Sequence, residues 1–131
     1  EVGPVATEFE QEDIGVTLAK CQRYCLDLSP VASSANPYLA GTGACANSTV
    51  TVLHNSFPVE MRTTPTVTLS GTAGDYRIYN GGAIAVTSFA ANGLSPRGGG
   101  INFVVGSGLT AAQAAGVYTN SNVRSILDAE L

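Results

Sequence analysis

The chain has 131 residues, of which 44% are hydrophobic and only 12% are charged, well below the usual charged share of about 25%. This balance excludes an intrinsically disordered chain, and the length suits one domain with a single core. Six basic and ten acidic residues give a net charge of −4, and the basic residues are scattered, so we predict no nucleic-acid binding. The sequence holds no run of about 18 apolar residues, so we also predict no membrane insertion.

The N-terminal stretch is expected to continue from an upstream domain. Glu1 is not an initiator methionine, and no basic and apolar regions of a signal peptide follow it. We therefore expect residues 1–12 to be an entry segment from an upstream domain and residues 13–131 to form a C-terminal module. Four acidic residues lie at this boundary: Glu8, Glu10, Glu12 and Asp13. They precede a predicted helix, whose positive dipole end stabilises carboxylates, so we interpret them as a solvated surface.

The first predicted element is an amphipathic helix over about residues 14–28. Its apolar positions alternate in steps of four and three residues, which places them on one narrow face. This helix seam consists of Ile14, Leu18, Cys21, Cys25 and Leu28. Asp13 is the predicted N-cap, and Ser29-Pro30 ends the run because the residue before a proline avoids helical geometry. Such a seam is typical of packing onto a sheet or of contact with the same helix in a partner chain.

From Pro30 onward, apolar and polar residues alternate between clusters of Gly, Asn, Ser and Pro, which predicts β-strands. The predicted strands are Thr49–His54, Val59–Arg62, Thr66–Ser70, Asp75–Tyr79, Ala83–Phe89, Ile101–Val105 and Val123–Ala129. Asn80-Gly81-Gly82 predicts a hairpin, since these residues tolerate the positive φ of tight turns. The fold class is therefore mainly β, and many short strands favour an antiparallel sandwich or barrel.

A short second helix is predicted between the last two of these strands. Thr110 and Gln113 have the spacing of a capping box, the run Ala111–Ala115 favours helix, and Gly116 supplies the stop. Gly98-Gly99-Gly100 precedes a strand rather than a helix. We therefore interpret this glycine run as a flexible loop and not as a phosphate-binding loop.

The sequence offers few groups for catalysis. His54 is the single histidine, and its place at a strand end favours a solvent-facing role. Cys21, Cys25, Cys45 and His54 have the composition of a Cys3His zinc site, but cysteines on a helix face lack the turn spacing of zinc ligands. We therefore predict free thiols, no metal, no cofactor and no enzyme activity.

Two groups of residues combine aromatic rings, which stack on sugars, with polar side chains that pair with hydroxyls. The first group is Tyr76, Arg77, Tyr79 and Asn80, and the second is Tyr118, Asn120, Asn122 and Arg124. Strand alternation places Tyr76 and Ile78 on one face and Arg77 and Tyr79 on the other. At most one of these tyrosines is therefore expected to be exposed and available for ligand binding. Ordinary strand and turn residues remain the alternative interpretation of both groups.

Three stretches resemble a domain found at the C-terminal ends of bacteriophage tail fibres, head fibres and related virion structural proteins. They are EVGPVATEFE (1–10) with LAKCQRY (18–24), FPVEMR (57–62) with TPTV (64–67), and DAEL (128–131). These matches span the chain in order. The sequence departs from the family at Cys25, where a second aromatic residue often follows Tyr24, which alters the packing expected in the helix seam.

The resemblance implies a jelly-roll-like β-sandwich, carried as a parallel homotrimer at the tip of a virion fibre and without catalytic residues. It implies adhesion to host polysaccharide or lipopolysaccharide, contacts with other virion proteins through the upstream region, and exposure on the virion after synthesis in the host cytoplasm. The helix seam is then a candidate trimer interface. A purely structural trimerisation or decoration module without a host ligand is the alternative, and a glycan-trimming enzyme has the least support.

Overall fold

A computed structural model describes residues 12–29, 38–39, 41–119 and 123–130. Its elements are α1 (Ile14–Gln22), β1 (Cys25–Asp27), β2 (Thr42–Cys45), β3 (Val50–Ser56), β4 (Thr66–Leu69), β5 (Tyr76–Tyr79), β6 (Ala83–Ser95), β7 (Gly98–Val105), β8 (Ala114–Thr119) and β9 (Ser125–Asp128), with a 3-10 turn at Ala73–Asp75. The predicted mainly β fold is confirmed. The predicted entry segment lies almost wholly outside the described residues.

Six strands form a closed antiparallel barrel in the order β2-β3-β7-β6-β5-β8. The closure depends on β8, which pairs with β5 on one side and with β2 on the other. The contact with β2 is short and consists of the pairs Gly43↔Ala115 and Ala44↔Ala114. The closed barrel is one of the two architectures that the strand pattern favoured, but it differs from the jelly-roll sandwich that the resemblance implied, because β8 joins the two edges that a sandwich would leave open.

A second sheet of three strands, in the order β1-β9-β4, accompanies the barrel. β9 is its central strand and pairs antiparallel with both neighbours, so that Asp128 lies opposite Cys25 on one side and Thr66 on the other. The ladder with β1 continues past the strand end, where the Leu28 N–H donates to the Ser125 carbonyl over 2.7 Å. The residues at the end of the chain thus organise residues from its beginning.

One apolar cluster fills the barrel and continues to the three-stranded sheet. In this core, the rings of Tyr76, Phe89 and Phe103 pack in a triangle with centroid distances of 5.6, 5.8 and 6.4 Å. The side chains of Tyr76 and Phe103 are wholly buried. The Tyr76 hydroxyl donates to the Ser70 carbonyl over 2.8 Å, and burial raises the pKa of this phenol above its ordinary value.

The N-terminal helix is shorter than predicted. Its N-cap is confirmed, since the Gly15 N–H donates to Asp13 Oδ1 over 2.8 Å. α1 ends at Gln22 because the backbone of the following residues pairs with β9 instead of continuing the helix. Cys25 therefore lies on β1, and Leu28 lies in the core with 7% of its surface exposed. Within the described part of the chain, no helix has the length and apolar character needed to cross a membrane.

The prediction of a second helix is wrong. Residues 110–113 form a turn with Ala112 in the left-handed region at φ 63°, and Ala114 begins β8. The Ala112 N–H donates to the Cys45 carbonyl over 2.8 Å, and the Gln113 carbonyl accepts from the Cys45 N–H over 2.9 Å. These bonds extend the β2–β8 ladder, so tertiary pairing overrides the helical propensity of the alanines.

Six of the predicted strands are confirmed with shifted ends, and so is the hairpin, in which Gly81 has a φ of 75°. The strand predicted at Val59–Arg62 is not formed, because the Met61 N–H donates to the Pro96 carbonyl, outside any ladder. The glycine run 98–100 is not a loop but the start of β7, opposite 54–56 of β3. A Cβ at Gly99 would lie 2.7 Å from the Leu94 Cα, so the close strand approach here requires glycine.

Candidate functional site

The structure separates the members of the first predicted group by strand alternation. Tyr76 and Ile78 point into the barrel and have no exposed surface, which places Tyr76 in the core rather than at a ligand site. Tyr79 points outward with 52% of its surface exposed. Arg77 lies on the same outward side of β5, opposite Tyr118 of β8, and is half-buried. One tyrosine of the pair is therefore exposed, as the alternation predicted.

Asn80 has a positioning role in the fold. Its Nδ2 donates to the Ala114 carbonyl over 3.1 Å, and its Oδ1 accepts from the Thr110 N–H over 3.3 Å. These bonds attach the β5–β6 hairpin to the chain around the start of β8. The Asn80 amide therefore holds Tyr79 beside β8, and its polar atoms already have protein partners.

The second predicted group is not assembled at one place. Tyr118 is 7% exposed, and its ring packs against Tyr38 with a centroid distance of 5.6 Å, so it supports a surface residue instead of presenting its own ring. Asn120 and Asn122 lie outside the described residues. Arg124 precedes β9 in the three-stranded sheet, where its guanidinium lies 3.9 Å from the Asp27 carboxylate.

A shallow cleft of about 390 Å³ crosses the outer barrel wall where β5, β8 and β2 lie side by side. This tyrosine cleft is lined by Tyr38, Gly41, Gly43, Tyr79, Ala114, Ala115 and Gly116. Tyr38 and Tyr79 are 56% and 52% exposed. A Cβ at Gly116 would lie only 2.7 Å from the Tyr38 ring, so this ring sits directly over the glycine. Two exposed phenol rings thus line the cleft together with residues that have little or no side chain, which we call its floor, and one of these rings covers Gly116.

The sequence analysis identified Tyr79 but missed Tyr38 and the whole floor. Tyr38 reaches the cleft through a single bridge to Tyr118, a contact between residues far apart in sequence. A local signal for the floor did exist, because Gly43 and Gly116 lie within segments that form strands, and glycine inside a strand often marks a close approach of another group. Reading 110–116 as a helix concealed that signal.

A second cleft of about 430 Å³ lies between β3 and β1. This polar cleft is lined by Leu26, Asp27, Leu28, Gly41, His54, Asn55, Ser56 and Pro58. His54 is exposed, as the sequence predicted, although β3 continues past it to Ser56. The Ser29 N–H donates to Asp27 Oδ1 over 2.8 Å, and hydrogen bonding by Ser29 holds the pKa of Asp27 below its ordinary value. Asp27 therefore carries its negative charge at neutral pH.

The three cysteines are free thiols in different surroundings. Cys21 and Cys25 are exposed, and Cys45 is buried with its Sγ 3.5 Å from the Thr51 hydroxyl. Partial desolvation of the exposed Cys25 by its neighbours, reinforced by the charge of Asp128, raises its pKa and so lowers its reactive thiolate fraction. No three His, Cys, Asp or Glu side chains of the described residues come together as metal ligands.

The remaining part of the helix seam lies at the surface. α1 contains no buried residue, and Ile14 and Leu18 are 83% and 55% exposed. Cys21 shares this face near the end of the helix, whereas Cys25 and Leu28 do not belong to it because the helix stops before them. On the opposite side, the Lys20 ammonium pairs with the Glu12 carboxylate and lowers its pKa.

No family model, curated protein or solved structure matches this chain.

Proposed function

We propose that this chain is a non-enzymatic glycan-binding module and that the tyrosine cleft is its ligand site. The observation that carries the proposal is the pair of exposed rings, Tyr38 and Tyr79, that line one cleft. A sugar ring has apolar C–H faces that pack on an aromatic ring, while its hydroxyls pair with phenol groups that both donate and accept. Two such rings hold a sugar more firmly than one.

The floor of the cleft supports the same ligand class. Ala114 presents only a methyl group and the Tyr38 ring covers Gly116, so a flat ligand can pack against both. None of the described residues that line the cleft carries a charge, so it offers neither an acid pair for glycosidic cleavage nor an ion pair for a phosphate. These properties favour binding of a polar, uncharged group without chemical change.

The resemblance to virion fibre domains gives this binding a biological setting. In that setting the module sits as a homotrimer at the tip of a bacteriophage tail or head fibre, and its ligand is a host surface polysaccharide or lipopolysaccharide. The upstream region contacts other virion proteins. A jelly-roll-like sandwich is the fold expected from the resemblance, and the closed barrel found for the described residues provides an equally rigid support for exposed binding residues.

We expect Tyr79→Ala to weaken glycan binding about tenfold, because it removes one of the two stacking rings. A glycan array identifies the oligosaccharides that the wild-type chain retains, and isothermal titration calorimetry with the strongest of them measures the affinity of each variant. Tyr79 is more than half exposed, so the substitution is expected to leave the thermal unfolding midpoint nearly unchanged.

Two control variants define this test. Tyr79→Phe keeps the ring and is expected to keep most of the affinity, whereas Tyr24→Ala removes a tyrosine that is 42% exposed and does not line the cleft. Equal affinities for Tyr79→Ala and Tyr24→Ala would remove the cleft from the ligand site. If the folded wild-type chain retains no glycan at all, the proposed function is wrong.

The second candidate function, a structural trimerisation module, is favoured by the exposed apolar face of α1. A nine-residue helix with no buried residue is marginal in isolation, and contact with neighbouring copies would bury Ile14 and Leu18. This is the remaining part of the predicted trimer interface.

We expect the wild-type chain to have the mass of three chains in multi-angle light scattering and Leu18→Asp to have the mass of one. The aspartate carboxylate would have to be buried against the partner helices, which is unfavourable. Val16→Asp is the matched control, since it also replaces an exposed apolar residue of α1 by aspartate but lies on the face away from the seam. A folded Leu18→Asp variant that keeps the mass of a trimer excludes this face from the interface.

A further inference from the structure

We infer that the tyrosine cleft and the polar cleft are adjoining subsites of one groove, and that its ligand is an uncharged oligosaccharide longer than a single sugar unit. This inference rests on the proposed glycan-binding function and deepens it. The first subsite supplies stacking rings and the second supplies hydrogen-bonding side chains. The two clefts therefore divide between them the interactions that a sugar chain requires.

Gly41 joins the two clefts, since it lines both of them. It has a φ of 131°, where a side chain is strained, and a Cβ there would lie 2.6 Å from Asn55 Oδ1 and 2.8 Å from the His54 carbonyl oxygen. Glycine is thus required at this position, and Gly41 itself places no side chain between the two clefts. A ligand seated on the tyrosines can continue past Gly41 toward β3.

The strand order determines the length of the groove. β3, β2, β8 and β5 are successive strands of the barrel, with His54 on the first and Tyr79 on the last. Neighbouring strands are about 4.8 Å apart, so three spacings separate the two ends by about 14 Å along the barrel wall. This distance exceeds the width of one sugar ring, so a single unit reaches only one subsite.

The side chains of the polar cleft select for hydroxyls without negative charge. Asn55 and Ser56 both donate and accept hydrogen bonds, and Asp27 accepts from hydroxyl groups. Asp27 is ionised at neutral pH, as an aspartate with an ordinary or lowered pKa is, so the cleft repels a carboxylate or phosphate on the ligand. Arg124 offsets this charge only in part, since its guanidinium is 3.9 Å away and largely exposed.

The test compares chain lengths on the same folded protein. A glycan array that carries disaccharide and hexasaccharide forms of neutral and uronic-acid glycans selects the best neutral pair, whose affinities are then measured by calorimetry. We expect the hexasaccharide to bind about tenfold more tightly than the disaccharide, the effect of one or two additional hydrogen bonds. Uronic-acid forms are expected to bind more weakly than the neutral ones.

Two variants assign the extra affinity to the polar cleft. His54→Ala and Asn55→Ala are expected to weaken hexasaccharide binding more than disaccharide binding and so to remove most of the dependence on chain length, whereas Tyr79→Ala weakens both. Thr68→Ala, an exposed strand residue of β4, is the control and should change neither.

The outcomes distinguish the two levels of the proposal. If Tyr79→Ala weakens binding but the affinity does not depend on chain length or on His54 and Asn55, the inference of one continuous groove is wrong. The proposed glycan-binding function is then unaffected. Uronic-acid glycans that bind as tightly as neutral ones overturn the inference that the ligand is uncharged. If no glycan binds, the proposed function fails together with the groove.

Discussion

Phe103→Ala is expected to lower the free energy of unfolding by about 3–5 kcal/mol. Phe103 has no exposed surface, and its ring contacts both Tyr76 and Phe89 in the aromatic triangle of the core. Removing the ring loses its hydrophobic transfer energy and leaves a cavity that the surrounding strands, held by ladders on both sides, can fill only in part. Urea denaturation followed by circular dichroism measures the difference.

Phe103→Leu is the matched variant, because it keeps apolar volume at the same position. We expect it to cost no more than about 1.5 kcal/mol, since hydrophobic substitutions of similar volume are tolerated by cores that can repack. If Phe103→Ala and Phe103→Leu lower the stability equally, the loss does not come from the cavity. If neither variant lowers it, the ring is not at the centre of the core.

Gly43→Val is expected to destabilise the barrel by about 3 kcal/mol, at the upper end of the range for overpacking. A Cβ at Gly43 would clash with the carbonyl oxygen of Ala115, a backbone atom that cannot rotate away. This contact falls at the pairing of β2 with β8, the short ladder that closes the barrel. The strands must separate there to admit the valine side chain.

The same substitution is expected to abolish glycan binding at temperatures where the chain is still folded, since Gly43 and Ala115 also line the tyrosine cleft. Ala44→Val is the control. Ala44 is exposed and valine is favoured in strands, so the stability of the Ala44→Val variant should be unchanged or slightly higher than that of the wild type. Thermal unfolding and amide chemical shifts in β2 and β8 measure the effect. An unperturbed Gly43→Val spectrum would contradict the closed barrel.

Together, these contacts divide the residues around the tyrosine cleft into those that would touch a ligand and those that position them. Asn80 attaches the hairpin that carries Tyr79, and Tyr118 supports the ring of Tyr38. Both were predicted as ligand contacts from their residue type. Their polar atoms and ring faces are instead engaged within the protein, which rigidifies the two exposed tyrosines and so reduces the entropy that binding must overcome.

The features predicted correctly from sequence depend on interactions between near neighbours. The Asp13 N-cap acts on a backbone N–H two residues away, and the Asn80-Gly81-Gly82 turn requires only the conformational freedom of its own residues. The alternation that buries Tyr76 and exposes Tyr79 follows from the two-residue period of a strand. Each of these features is determined by residues that lie only a few positions apart in the sequence.

The strands that the sequence did not reveal are those defined by distant partners. β1 exists because residues 25–27 pair with residues 126–128, and that pairing stops the helix at Gln22 although the apolar period continues to Leu28. β2 and β8 pair with each other across some 70 residues of chain, so neither segment carries a strong strand pattern alone. Without these two strands, a closed barrel cannot be distinguished from an open sandwich.

The candidate site also contains some residues that the sequence predicted and others that only the structure revealed. Tyr79 was identified from the sequence because its exposure is a local property of β5, and the scarcity of charged and histidine side chains already favoured binding over catalysis. Tyr38, Gly41 and the floor of the cleft became apparent only in the tertiary structure. They are brought beside Tyr79 by barrel closure, a cooperative arrangement of strands far apart in the chain that no local pattern of residues encodes.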